Sequence, residues 1–268
     1  RRGAPDESVG GLAEQPLATP PSGWRKPVFA LEKAVGTTIE VAAALLVLVE
    51  VAVLFAGVMS RYVFHSPIVW SDELASILFL WLAMLGAVVA LRRGEHMRMT
   101  AVVGMVSPPV RAFLDVLSIA APVVFLALIV YPAYEFAHDE IVITTPALAL
   151  ANGWRAAALP VGAALMLAIA LLRLLEVGNW RLVGAALATI GAVVGVLLLL
   201  QPVLFQIDNF NLLIFFVGIV ALCVFAGVPI AFAFGLATYG YLAITTMVPV
   251  PVIVGRMDEG MSHLILLS

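Results

Sequence analysis

Long apolar runs, separated by short polar connections, dominate the pattern of this chain. Most of the runs hold about 20 residues, the length that an α-helix needs to cross about 30 Å of hydrocarbon. The pattern therefore predicts about seven membrane-spanning helices, over residues 35–59, 73–91, 110–134, 154–175, 182–203, 212–226 and 229–247.

Three segments depart from this pattern. Residues 1–29 are rich in Gly, Pro, Glu and Ala for most of their length, so we expect a flexible cytoplasmic tail there. Residues 96–107 are too short and too mixed to cross, and their Met and Val positions predict a helix lying in the membrane interface. Between the last two runs, Gly227 and Pro229 predict a tight hairpin turn, or alternatively the broken helices of a transporter site.

Composition places the chain among helical membrane proteins. It is 63% hydrophobic and 12% charged, with a mean hydropathy of +1.11, whereas soluble domains are about 45–50% apolar and about 25% charged. The predicted fold class is all-α: a polytopic helical membrane protein with about seven transmembrane helices plus a short interfacial helix. The single cysteine, Cys223, allows no intrachain disulfide, and no basic stripe indicates nucleic acid as a partner.

The positive charges predict an orientation. If the N-terminus is cytoplasmic, eleven of the 14 Lys and Arg residues fall on the cytoplasmic side and only Arg61, Arg155 and Arg256 fall outside. This asymmetry is the positive-inside bias of membrane proteins. The sequence therefore predicts a multi-pass protein whose N-terminus is cytoplasmic.

The connection between the first two predicted spans has the composition of a membrane surface. Tyr62 and Trp70 suit the headgroup level, and Pro67 turns the chain. Ser71 is then expected to cap the next helix, with Asp72 and Glu73 in its first turn at the positive end of the helix dipole.

Residues 61–99 resemble the small membrane subunit of tripartite ATP-independent periplasmic (TRAP) transporters, which is often called DctQ. The motifs that carry the resemblance occur in the family's order: Arg61-Tyr62, Pro67, Trp70-Ser71-Asp72-Glu73 and Arg93-Gly94-Glu95-His96. The resemblance covers roughly residues 30–178 and implies a four-helix unit there.

A second resemblance begins near residue 211. The turn Gly227-Val228-Pro229-Ile230-Ala231-Phe232 is similar to the first hairpin of the large TRAP permease subunit, often called DctM. The two resemblances imply a fusion, in which residues 179–208 form a connecting transmembrane helix and residues 209–268 the N-terminal part of the large permease. The family's large subunit has many more helices, so we expect a truncated fragment that does not transport alone.

The resemblance also implies a function. The complete system would be a secondary transporter of the bacterial inner membrane that imports an organic acid by symport with sodium, and not an enzyme. A periplasmic substrate-binding protein would deliver the substrate, and the remainder of the large permease and the lipid bilayer would be the other partners. No cofactor is expected in this chain, because the substrate and sodium sites would lie in the absent helices, and the region present would be mainly scaffold.

Several residues are candidates for contacts. A binding protein would approach the face that carries Trp70, Asp72 and Glu73, but we expect the two acids first of all to start the helix, with docking as their second role. Arg92 and Arg93 are expected to meet lipid phosphates, with a specific lipid or an interhelical carboxylate as the alternative.

Glu50 lies near the middle of the first predicted span, where a charge costs on the order of 2.5–3.5 kcal/mol on insertion scales. It is either a proton relay or coupling-ion ligand, or else a protonated or hydrogen-bonded carboxyl at a helix contact. A proton-conducting channel through Glu50 is one alternative function, and Glu50→Gln would then abolish it. Another is a membrane anchor or assembly subunit of a respiratory redox complex, for which paired histidines within the spans would be the signature.

Overall fold

Helices account for nearly all of the regular structure in the computed structural model, which describes residues 25–93, 105–207 and 210–262. Within these ranges the only bridge between extended residues pairs Thr144 with Ala151. We number the helices α1 (Arg25–Tyr62), α2 (Ser71–Arg93), α3 (Pro108–Asp139), α4 (Gly153–Glu176), α5 (Trp180–Leu199), α6 (Phe210–Phe225), α7 (Ile230–Thr245) and α8 (Pro251–Ser262).

Five helices are long and apolar enough to cross a membrane, and they match the first five predicted spans. They cover Glu32–Tyr62, Ser71–Arg93, Pro108–Val142, Gly153–Glu176 and Trp180–Leu199. The third contains Pro122 and Pro132 within its helical residues. Neighbouring helices can satisfy the carbonyl groups that a proline leaves free, so such prolines are tolerated in membrane helices. The chain is thus a polytopic helical membrane protein, as predicted.

Two further apolar helices, α6 and α7, occupy the last two predicted spans and are shorter than the five long helices. Each rises about 24 Å, whereas the hydrocarbon layer is about 30 Å thick. Gly227 joins them with a φ of 84°, in the left-handed region that favours glycine. The sequence predicted a slightly longer α7, over residues 229–247, because the run continues to the apolar Met247, two residues beyond the helix end at Thr245.

The turn between α6 and α7 lies against the middle of α3. The ring centroids of Phe232 and Phe125 are 6.1 Å apart in an edge-to-face arrangement, and Phe125 lies roughly midway along α3. A Cβ atom on Gly235 would lie 2.7 Å from the Phe125 ring, so the ring would have to shift to admit an alanine there. The turn residues Val228 and Pro229 are buried, which suits irregular backbone at this depth.

The core is built from α2, α3 and α4, in which α4 packs on both α2 and α3. Small residues allow their close approach: Ala120 and Ala163 are buried, and Gly162 lies where a Cβ atom would be 2.6 Å from Met84. The Trp81 indole of α2 also donates to the Trp154 carbonyl oxygen of α4, at 3.0 Å. α1 packs on α2, and α5 and α7 pack on α3.

The last helix, α8, was not predicted from the sequence. Its Ile253 and Val254 are buried in the core, and it contacts α2 and α3. We call the end of the bundle that holds the connections 63–70 and 143–152 the loop end, and α8 lies there. The opposite end, with Arg92, Arg93 and Arg173, is the arginine end.

Some predictions fall on residues that the structure does not describe. They concern most of the cytoplasmic tail and the greater part of the interfacial helix expected over residues 96–107.

Candidate functional site

The connection from α1 to α2 is held by its own hydrogen bonds. The Ser60 hydroxyl donates to the Ser66 carbonyl oxygen, and the Ser66 amide donates to the Ser60 carbonyl oxygen at 3.1 Å. Ser71 donates its hydroxyl to the carbonyl oxygen of Ile68, at 2.8 Å. These bonds fix the short path between two antiparallel helices.

The predicted cap of α2 is wrong by one residue. Trp70 occupies the N-cap position, since its carbonyl oxygen accepts the first intrahelical bond from the Leu74 amide, at 3.0 Å. Ser71 is therefore the first helical residue, and its hydroxyl binds the preceding turn. A serine just before a helical run suggested the cap, but the chain enters the helix one residue earlier.

Trp70, Tyr62 and Asp72 lie at the surface of the loop end. Trp70 is 44% exposed and Tyr62 is 70% exposed. Asp72 accepts a hydrogen bond from Arg61 at 3.0 Å, with both side chains more than half exposed. Contact of this surface with a partner protein or with headgroups stays a prediction.

Glu73 joins α2 to the connection 143–152. Its Oε2 atom accepts the amide proton of Ala147 at 2.8 Å, and its Oε1 atom accepts that of Leu148 at 3.2 Å. The connection is itself closed by the Thr145 hydroxyl, which accepts from the Leu150 amide at 3.1 Å. Glu73 thus positions this loop within the chain, and its role in docking stays a prediction.

A buried ion pair joins α4 to α8. The Arg155 Nη1 and Nη2 atoms donate to the two carboxylate oxygens of Asp258, at 2.9 and 2.7 Å. The Arg155 side chain is 15% exposed and that of Asp258 is 8% exposed. This two-point geometry is the strong form of the arginine–carboxylate interaction.

Asn152 holds Arg155 in place for this pairing. The Arg155 Nε atom donates to the Asn152 Oδ1 atom at 2.9 Å, and the Asn152 amide donates to Glu140. The resulting chain of four side chains runs from the end of α3 to α8. From the sequence, Arg155 was predicted only to be one of the positive charges on the outer side. This network of hydrogen bonds was therefore not predicted.

A second network ties the helices together at the arginine end. Glu40 of α1 accepts from Arg92 at 3.0 Å and from Arg93 at 3.3 Å. Arg173 of α4 donates to the Leu91 carbonyl oxygen at 2.8 Å, and also to that of Arg92. The contact of Arg92 and Arg93 with Glu40 is the interhelical carboxylate contact that the sequence left open, while their contact with lipid stays a prediction.

Glu50 is isolated from both networks. It is 5% exposed, and neither carboxylate oxygen has a hydrogen-bond partner among the described residues. No group of three or more His, Cys, Asp or Glu side chains in the described ranges could hold a metal ion. Of the four histidines, His65 and His138 lie at the loop end, and the other two lie outside the described ranges.

The sequence matches a known family over almost half of its length. The family described as "Tripartite ATP-independent periplasmic transporters, DctQ component" matches residues 50–178. These residues contain α2, α3 and α4, the core of the bundle, together with the last part of α1.

Several individual proteins that the chain resembles are named as permease proteins of TRAP transporters. The sialic acid TRAP transporter permease protein SiaT of Haemophilus influenzae is 33% identical over 115 residues, 43% of this chain and 19% of that protein. The small permease protein SiaQ of Vibrio cholerae is 26% identical over 136 residues, 51% of this chain and 79% of that protein. The isethionate TRAP transporter permease protein DctMQ of Oleidesulfovibrio alaskensis is 30% identical over 187 residues, 68% of this chain and 28% of that protein. The chain therefore spans about a fifth of the length of the first of these relatives.

Proposed function

We propose that this chain is a membrane component of a TRAP transporter, and that its DctQ-like residues 50–178 form a scaffold that holds the neighbouring permease helices in place. The buried Arg155–Asp258 pair carries the proposal, since Arg155 belongs to the DctQ-like domain and Asp258 to a helix beyond it. A scaffold needs a lasting contact with the helices that it holds, and this buried ion pair provides one.

The helices beyond residue 178 support a fusion of two permease units. The match to the isethionate transporter protein DctMQ is longer than the DctQ-like domain, so the similarity to that relative extends outside the domain. We assign residues 30–178 to the small-permease unit, 179–208 to the connecting helix α5 and its short extension, and 209–268 to the start of the large permease. The connecting helix packs on α3, which suits a link that is also part of the scaffold.

The proposed transport reaction follows from the relatives' names. These relatives are named for sialic acid, isethionate and C4-dicarboxylate, which are all small organic anions. We propose that the complete transporter imports an organic acid, driven by a sodium gradient and supplied by a periplasmic binding protein. No step of substrate binding is assigned to the residues described here.

The proposed orientation places the loop end at the periplasm and the N-terminus in the cytoplasm. Most of the positive charges lie at the arginine end and in the segments that adjoin it, as the positive-inside bias requires. Trp70 and Asp72 would then lie on the face that a binding protein approaches, next to the loop that Glu73 holds.

Uptake in proteoliposomes tests the scaffold. The complete transporter, reconstituted with its binding protein and a sodium gradient, should lose most of its uptake in Arg155→Ala and in Asp258→Ala. Breaking one partner of a buried pair costs about 3–5 kcal/mol, because the other charge remains unpaired. The exchange Arg155→Asp with Asp258→Arg should restore part of the uptake.

Arg256→Ala is the matched control for this experiment. Arg256 lies on the same helix and pairs with Glu259 at 2.6 Å, but its side chain is 75% exposed, so its loss should leave uptake unchanged. Equal losses in Arg256→Ala and Arg155→Ala would contradict the proposal. Sodium-driven uptake by residues 1–268 alone would contradict it as well.

A further inference from the structure

Glu50 lies on the face of α1 that packs against α2. Gly36 and Gly57 mark this face, because a Cβ atom on the first would meet Arg92 and one on the second would meet Ser71. Glu50 is fourteen residues after Gly36 and seven before Gly57, and such multiples of seven keep residues on one helix face. The opposite face, with Leu48 and Phe55, is exposed.

No counter-charge lies near this carboxyl group. The antiparallel pairing of Gly36 with Arg92 and of Gly57 with Ser71 sets Glu50 at roughly the level of Leu78 on α2. The residues 74–91 of α2 include no titratable side chain, and neither do residues 158–172 of α4, the other helix that packs on α1.

The nearest charges on α1 itself are also distant. Glu40 and Arg61 lie ten and eleven residues away, which is about 15 Å along the helix. Both have partners of their own, since Glu40 pairs with Arg92 and Arg61 pairs with Asp72. Glu50 therefore differs from the other acidic residues on α1. Within the described part of the chain, no cation pairs with its carboxyl group and no donor forms a hydrogen bond to it.

An ionised carboxylate is poorly stabilised in such a place. Burial without a partner disfavours the charged form far more than the neutral acid. A cation such as Ca²⁺ or Mg²⁺ would not repair the site, because these ions take six or more oxygen ligands and Ser76 is the one residue among 74–82 of α2 with a side-chain oxygen. A proton neutralises the group with no further ligand, and the acid's O–H can donate to a helix carbonyl oxygen.

We propose that Glu50 is a proton-binding site within the membrane, whose bound proton allows α1 to pack against α2. Release of the proton would leave an unpaired carboxylate in this contact, so the contact weakens as the pH rises. The site binds a proton without conducting it, because no titratable side chain at the same depth on α2 or α4 continues a relay. This inference goes beyond the scaffold function, and its test is independent of transport.

Infrared spectroscopy tests the protonation state directly. The chain in lipid nanodiscs in D₂O at neutral pH should show the C=O stretching band of a protonated carboxyl group, and Glu50→Gln should lose this band. Raising the pH should remove the band from the wild-type spectrum. The matched control is Glu40→Gln, which should lose carboxylate bands instead, because Glu40 is paired with arginine.

Loss of carboxylate bands in Glu50→Gln would overturn the proposal, as would a protonated band that disappears when sodium replaces potassium at constant pH. A second measurement uses the unaltered chain and so does not depend on the folding of a variant. Dicyclohexylcarbodiimide is an apolar electrophile to which protonated carboxyl groups add across a C=N bond. It should form an adduct on Glu50 that mass spectrometry detects, and the adduct should diminish as the pH rises. A carboxyl group that gives no adduct at any pH would count against the proposal.

Discussion

Neighbouring acidic residues at the start of α2 have different environments, and these determine what each contributes. The Arg61–Asp72 pair is exposed on both sides, and such pairs contribute about 0–1 kcal/mol to stability. Glu73 instead accepts two backbone amide protons from the connection 143–152. Hydrogen bonds to a charged group are stronger and fix geometry. The two residues differ because only Glu73 faces the connection.

Replacing Glu73 by Gln should loosen this connection. The glutamine amide can accept at only one of its two positions, and it lacks the negative charge that strengthens both hydrogen bonds of Glu73. We expect faster hydrogen exchange at the Ala147 and Leu148 amides and a lower free energy of unfolding. Asp72→Asn, the control, should leave both quantities nearly unchanged, and equal effects of the two substitutions would contradict this role of Glu73.

Sequence reasoning could place single residues in the membrane but could not pair them. Arg155 and Asp258 are 103 positions apart, so their contact depends on how α8 packs, and nothing local indicates it. The position of Glu40 did indicate that it needs a partner, since this acidic residue lies inside the first predicted span. Its pairing with Arg92 requires the alignment of α1 against α2, which an apolar pattern does not specify.

The helices themselves were predictable where an apolar run fills a whole crossing. α1 to α5 arise from such runs, and the prolines within α3 did not interrupt it. α6 and α7 were predicted as well, with the turn between them at Gly227 and Pro229, and their observed bounds differ from the predicted ones by only one or two residues. α8 carries Arg256, Asp258 and Glu259, and these charges concealed from the sequence pattern a helix that buries Ile253 and Val254.

The contact between α2 and α4 depends on the absence of a side chain at Gly162. A Cβ atom there would lie 2.8 Å from the Met84 Cβ atom, which is fixed to the backbone. We therefore expect Gly162→Ala to push the helices apart and lower the free energy of unfolding by about 1–3 kcal/mol. Denaturant titration in detergent measures this loss.

Gly86→Ala on α2 is the control, because no atom lies within 4 Å of the added Cβ position. Alanine favours helix over glycine by roughly 0.5–1 kcal/mol, so this variant should be as stable as the wild type or slightly more stable. An unchanged stability of Gly162→Ala would show that α2 and α4 are not in this close contact.

At the scale of the whole molecule, the two polar networks lie at opposite ends of an apolar bundle. Glu73 and Arg155 link the connections and α8 at the loop end, and Glu40 links α1 to α2 at the arginine end. Five consecutive helices, α1 to α5, alternate in direction between these two ends. Finding on which side of the membrane one end lies therefore also gives the side of the other end.

Cysteine labelling tests the proposed orientation. In a Cys223→Ser background, Val142→Cys should react with an impermeant maleimide added to intact spheroplasts, since Val142 is 86% exposed at the loop end. Trp180→Cys, exposed at the start of α5, should react only after the membrane is permeabilised. The reverse pattern would invert the topology and remove the loop end from the face proposed for the binding protein.

The Arg155–Asp258 pair also closes a noncovalent ring in the chain. The ring contains part of α4 and all of α5, α6 and α7, and its ends lie 103 residues apart. Closing a loop costs entropy that grows only logarithmically with its length, so a ring of this size is little harder to close than a shorter one. The α6–α7 hairpin is therefore tethered to the bundle at both of its ends, through α5 at one end and through α8 and the ion pair at the other. One ion pair between α4 and α8 thereby restricts the movement of α5, α6 and α7, although it belongs to none of these three helices.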